Sequence, residues 1–98
     1  MADWPTTDDL KQALDLDPGS DSWADRLDIV LSASIARVKR DVGIWDEMTD
    51  TPDEALNQAA LRMGWLIWAS PTQPVEVLSA DPAYRALLFG HRRRFAVA

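Results

Sequence analysis

The sequence contains no cysteine. That removes disulfide scaffolds, thiolate-ligated zinc and thiol catalysis together, and it suits a reducing cytoplasm. Histidine is present once, as His91, beside three arginines that disfavour its cationic form, so the commonest general base has no suitable setting. With four glycines in total there is no glycine-rich phosphate loop. No apolar run approaches the roughly 20 residues that span a bilayer, and the opening MADWPTTDD carries acids where a signal peptide carries bases. We therefore expect a chain that neither enters nor crosses a membrane.

What the chain does hold is tryptophan and aspartate. Five tryptophans, Trp4, Trp23, Trp45, Trp65 and Trp68, are many for 98 residues. A domain this small buries only about two-thirds of its unfolded surface, so some of the five should face a partner. Trp23 and Trp65 are assigned to core filling. Charge is polarised along the chain. Residues 1–28 carry eight aspartates against Lys11 and Arg26, which equals the whole net charge of -6, whereas residues 81–98 carry Asp81 against four arginines. An acidic and a basic end favour head-to-tail contacts between copies or partners.

Helix signals dominate. Thr6 or Thr7 caps a short helix over about 7–14, with Asp8 and Asp9 against its positive end and Pro18 and Gly19 stopping it. A long helix starts at Ser20 or Ser22 and runs to Val42, where Gly43 ends it. Its positions Trp23, Leu27, Val30, Leu31, Ser34 and Val38 fall on one stripe, and Ile29, Ala33 and Ala36 form a second, so one face suits this domain and the other a neighbour. In the loop that follows, Ile44 and Trp45 are expected to fold back under the helices. Thr51, Pro52 and Glu54 read as N-cap, first helical residue and capping-box partner of a third helix reaching about Ala69. Gly64, inside it, costs roughly 1 kcal/mol relative to alanine, which a close approach by another helix would explain. SPTQPVEVLSA reads as an extended connector, with Val75 and Val77 as a very short strand at most. Asp81 and Pro82 open a last helix that stops at Gly90. The fold expected is all-α: a small bundle of about four helices (1–90), an extended connector before the last helix, and a tail over 91–98.

Candidate chemistry is thin. Asp15, Asp17, Gly19, Asp21 and Asp25 hint at a calcium loop, but the sixth and twelfth positions are Ser20 and Arg26 where glycine and glutamate are needed. No nucleophile is paired with a base, and the adjacent acids Asp8 and Asp9, or Asp46 and Glu47, point apart. The reading is of a protein that is not an enzyme, with no cofactor or metal. The rival is a small helical regulatory or DNA-binding domain. A DNA-reading helix presents Arg, Lys, Asn or Gln in its first turns, yet these helices open DDLKQ, SWADR, PDEAL and PAYRA.

In chain order, DDLKQAL, the long SWADRLDIVLSASIARVKRDVG, the central ALNQAALRMGWLIW and the closing LLFGHRR resemble the head-to-tail adaptor (connector) proteins of long-tailed bacteriophages. The likeness spans nearly the whole chain and rests on hydrophobic patterns. The tryptophans of the central helix and the run HRRR depart from it, since the family more often has a single arginine after its paired leucines. The resemblance implies a structural virion protein at the head–tail interface, assembled in the host cytoplasm. It forms a homo-oligomeric ring, usually of twelve subunits, between the portal protein and a tail-side connector or stopper, with DNA passing through its channel without sequence-specific binding. It also implies that the C-terminal segment, here Arg92, Arg93, Arg94, Phe95, Ala96, Val97 and Ala98, docks on the portal. The subunit interface is expected at Trp23, Ile29, Ala33, Ala36, Arg37 and Trp68.

Overall fold

The computed structural model describes residues 3–16, 23–43, 45 and 51–89. Among these residues there are five helices and no strand: α1 (Thr7–Ala13), α2 (Ala24–Val42), α3 (Glu54–Ala69), α4 (Val75–Leu78) and α5 (Pro82–Leu88). The all-α bundle expected from the sequence is what forms. α3 lies at its centre and packs on each of the other four.

Each helix end has a local cause. Thr6 caps α1 in a full capping box: the Asp9 N–H donates to Thr6 Oγ1 (3.3 Å) and the Thr6 N–H donates to Asp9 Oδ2 (2.9 Å). The far end of α1 closes before Pro18 is reached. Asp15 turns to φ 57°, and the N–H groups of Asp15 and Leu16 donate back to Gln12 O and Lys11 O, the paired bonds of a Schellman motif. Aspartate tolerates this left-handed geometry better than most side chains, and Leu16 packs against the core. α2 differs from expectation at its start: its N-cap is Trp23, with no side-chain cap, and Ser20 and Ser22 lie outside the described residues. Gly43 ends it at φ 116°, a conformation that glycine adopts without strain.

The start of α3 corrects the sequence reading. Its N-cap is Asp53, whose Oδ1 accepts from the Leu56 N–H at 2.9 Å, so Thr51 and Pro52 precede the helix and Pro52 is buried there. An aspartate caps at least as well as a threonine, and the later start leaves Glu54 free to accept from Gln58 Nε2 (2.9 Å). α4 corrects the connector. No neighbouring strand among the described residues satisfies the backbone of 75–78, so its N–H groups turn to local acceptors: Val77 and Leu78 donate to Pro74 O, and Ser79 to Val75 O. Leu78 is thereby buried and Val77 exposed. α5 follows the sequence grammar closely, with Asp81 Oδ2 accepting from the Tyr84 N–H (2.9 Å) and Pro82 in the first turn. Its expected stop, Gly90, lies outside the described residues; Phe89 caps it.

The core has two lobes. One gathers Val38, Val42, Leu56, Met63, Leu78, Tyr84 and Leu88 between α2, α3, α4 and α5; the other gathers Leu10, Leu27, Val30 and Leu31 between α1 and α2. Ile35 and Ile67 pack against both. Gly64 sits where α1, α2 and α3 meet: a Cβ there would lie 2.8 Å from Leu10 Cδ1 and 3.3 Å from Ser34 Oγ. The close approach expected of this glycine is present, from two helices at once. Ser34, fully buried in the same place, donates to Val30 O (2.7 Å), so its hydroxyl is satisfied within α2.

Candidate interaction surfaces

The stripe of α2 that faces the bundle is Leu27, Val30, Leu31, Ser34, Val38 and Val42, all buried. Opposite it, at helical spacing of four and three, stand Ile29, Ala33 and Ala36, all exposed, with Ile29 at 70%. An isoleucine this exposed on a regular helix, followed at one and two turns by alanines, makes a short apolar strip. The structure thus brings three of the six residues expected at an interface onto one outward face.

Trp23 and Trp68 meet elsewhere. Their rings stand edge to face at 5.6 Å, and the Arg26 guanidinium lies 4.1 Å from the Trp68 ring while Nη2 donates to Trp68 O (3.3 Å). Trp23 is 40% exposed, and Trp65, on α3, is 42% exposed with the Arg62 guanidinium 4.8 Å from its ring. Both were expected to fill the core. The correction follows from position: Trp23 precedes α2 rather than lying within it, and Trp65 follows Gly64 on α3, on a side that α2 does not cover. Trp68 packs against the smaller lobe, while Trp4 and Trp45 are half-buried against the larger one, tilted together at 5.2 Å under the Lys39 ammonium, as expected for Trp45. Ile44 lies outside the described residues.

Arg37 is turned inward, into a polar knot. Its Nε is 3.1 Å from the Asp41 carboxylate, its Nη2 donates to Ser79 Oγ (3.3 Å), and Nη1 lies 3.9 Å from Glu76 Oε1. Asp41 Oδ2 also accepts from the Tyr84 hydroxyl at 2.8 Å. Tyr84 is fully buried; burial, and then the neighbouring Asp41 carboxylate, push its phenol well above the ordinary tyrosine range. A cleft of about 60 Å³ beside Asp41, Ser79, Tyr84, Arg85 and Leu88 is water-sized, against the ~300 Å³ and upward of ordinary ligand pockets. The knot's chemistry is that of a tie: it joins α2 to α4 and α5 and offers no unengaged base.

A second tie joins α3 to α5. Arg62 Nε and Nη2 donate to the two oxygens of Asp81 at 2.9 and 3.0 Å. The hydrogen bond from Arg62 holds the Asp81 carboxyl below its ordinary value, against an opposing effect of burial, and the Tyr84 N–H adds to the lowering. Sequence reasoning found Asp81 as a cap and missed its long-range partner, Arg62.

Among the described residues no group of three or more His, Asp or Glu is placed to hold a metal ion, and no helix is long and apolar enough to cross a membrane. Asp17, Gly19 and Asp21 of the spacing that hinted at a calcium loop lie outside the described residues, as do His91 and the segment Arg92–Ala98 expected to dock. The protein is thus a small helical bundle whose described surface carries an apolar strip, an edge-to-face tryptophan pair and grooves, with Arg37, Asp41, Arg62 and Asp81 used as interhelical ties. The chain matches no family model, no curated protein and no solved structure.

Proposed function

We propose that this chain is a structural subunit of the head-to-tail connector of a long-tailed bacteriophage, one copy in a closed ring between the portal protein and a tail-side connector or stopper protein. DNA passes through the ring without sequence-specific binding, and residues 91–98 engage the portal. The observation that carries the reading is the outward strip of α2. A cyclic ring requires two different faces of one subunit to meet, and Ile29, Ala33 and Ala36 supply a short apolar face on the longest helix that this subunit's own core leaves uncovered. The charge distribution supports the same reading. An acidic body does not gain counterion-release energy from phosphates, so DNA slides past it, while the basic segment remains for a protein partner. The helix order that resembles the adaptor proteins supports it as well.

Electron microscopy of the full chain mixed with a portal protein tests the proposal. A ring of defined symmetry attached to the portal is expected, and removal of residues 91–98 should abolish attachment while leaving the circular dichroism of the helices intact. Failure of the full chain to attach to its portal would sink the reading. A steep salt dependence of DNA binding in a gel-shift series would favour the regulatory, DNA-binding alternative instead.

A further inference from the structure

We propose that, in the isolated subunit, residues 90–98 dock in the groove between α1 and α3 of their own subunit, with Arg92, Arg93 and Arg94 in its acidic half and Phe95 and Val97 in its apolar half. The inference goes beyond the connector reading and does not rest on it.

The groove has two contiguous parts. The part near the start of α3 is bordered by Asp3, Asp9 and Glu54, over Asn57 and Gln58, with no lysine or arginine along it. Past Ala13, Gln58 and Leu61, which both parts share, it continues to Trp65 and Leu87. The one cation in this second part, Arg62, is already held by both oxygens of Asp81 and lies over the Trp65 ring. Asp9 and Glu54 each use one oxygen locally, Asp9 Oδ2 toward the Thr6 N–H and Glu54 Oε1 toward Gln58 Nε2, which leaves the other to accept from a guanidinium. Asn57 Oδ1 is a further acceptor. It belongs to a residue that lines the same groove and has no hydrogen-bond partner among the described residues.

The occupant is argued from where α5 leads. Asp81, at the start of α5, is clamped by Arg62 midway along α3, and Leu88, at its end, shares a core cluster with Leu56 in the first turn of α3. α5 therefore runs antiparallel to α3, with Leu87 lining the groove together with Gln58 and Leu61, and its end is directed toward the first turns of α3. Residues 90–98 read GHRRRFAVA, basic first and apolar second, the same order as the groove from Glu54 toward Trp65. The spacing agrees too. Four extended residues, Arg93 to Val97, cover about 13 Å at ~3.3 Å each, and the eight residues of α3 from Asn57 to Trp65 rise about 12 Å at ~1.5 Å each. Because the segment is tethered beside the groove, its effective concentration there is on the order of millimolar, which favours it over the same segment of a second copy in dilute solution.

The absence of cysteine makes the test direct, since Val97→Cys in the full chain accepts a single nitroxide. In isotope-enriched protein the label should erase the resonances of Gln58 and Leu61 and the Trp65 indole, and reduction of the nitroxide should restore them. The loss should persist on dilution, weaken in high salt, and vanish when Arg92→Glu, Arg93→Glu and Arg94→Glu are combined, with circular dichroism unchanged. Ala98→Cys repeats the measurement without altering Val97. Unaffected groove resonances with both labels overturn the proposal. So does a loss seen when enriched, label-free chains are mixed with labelled, unenriched ones, because the groove then receives a second copy's segment. The measurement uses the isolated subunit, so failure of portal attachment leaves it standing.

Discussion

The Tyr84 hydroxyl donates to Asp41 across 2.8 Å although 43 residues separate them, and through this bond α5 is fastened to the end of α2. Asp41 is shared with Arg37, which also reaches Ser79, so α2 and α5 meet at the carboxylate and Arg37 extends the tie to the end of α4. Replacing the tyrosine by phenylalanine keeps the buried ring and removes only the hydroxyl. Tyr84→Phe should lower unfolding stability by about 1–3 kcal/mol, the range for a lost hydrogen bond to a charged group, as read from urea denaturation. A change within a few tenths of a kcal/mol would show that the knot does not fasten α5.

Tyr84 is the only tyrosine, which makes its titration visible without assignment. Its folded value lies above the unfolded one, so the stability it contributes is fully present below about pH 10 and is lost as the pH rises beyond that. Tyrosinate absorbance should therefore appear only together with loss of the helical dichroism. A phenol that ionised at its ordinary value with the helices intact would contradict the burial described.

Asp81 has the opposite sign. Its folded value is depressed, chiefly by the Arg62 hydrogen bond, so its contribution is present above the ordinary carboxylate range of about 3.9 and is lost as the pH falls below that, through the folded value. Stability measured from neutral to strongly acidic pH should fall less steeply in Asp81→Asn than in the parent. Asp81→Ala, which also removes the cap on the Tyr84 N–H, should cost a further ~1 kcal/mol at neutral pH.

Gly64→Ala is expected to destabilise, against the usual gain from replacing a helical glycine. The propensity gain of about 1 kcal/mol is opposed by overpacking of about 1–3 kcal/mol, because the new methyl meets Leu10 on one side and Ser34 on the other. Leu10 is fully buried and has little room to retreat. In a Leu10→Ala background the same substitution should become neutral or favourable, and a double-mutant cycle of thermal unfolding measures that coupling.

Ile29→Asp separates fold from assembly. At 70% exposure the side chain contributes little to the subunit, so its stability should change by no more than about 0.5 kcal/mol. In the proposed ring the same charge falls at an apolar contact between neighbours, and rings counted by electron microscopy should disappear. Intact rings from Ile29→Asp subunits would place the interface on another face.

Local chemistry was legible in the sequence where one short segment held both partners of an interaction. Asp81 with Pro82 and Gly43 as a helix stop belong to this kind, and the cap of α1 was narrowed to Thr6 or Thr7. Competing local signals were harder. Thr51 and Asp53 both invite a helix start, and the burial of Pro52 ahead of Asp53 accompanies the later one. Asp15 in a left-handed turn gave no signal, since only glycine or asparagine announces that geometry in a sequence. The exposed strip of α2 was visible as a second periodic stripe; the Asp41–Tyr84 and Arg62–Asp81 ties were not, because no periodicity relates residues so far apart.

By itself, then, the sequence determined the all-α class, the order of the main helices, the buried stripe of α2 and the polarity of charge along the chain. Each follows from period, capping or composition within a window of a few turns. Only the tertiary structure decided which tryptophans are half-buried and which exposed, that residues 75–78 coil into a helix, that Gly64 admits two helices together, and that Arg37 turns inward. Those outcomes depend on which surfaces meet, and a side chain's solvent exposure is set by neighbours that the local sequence does not contain.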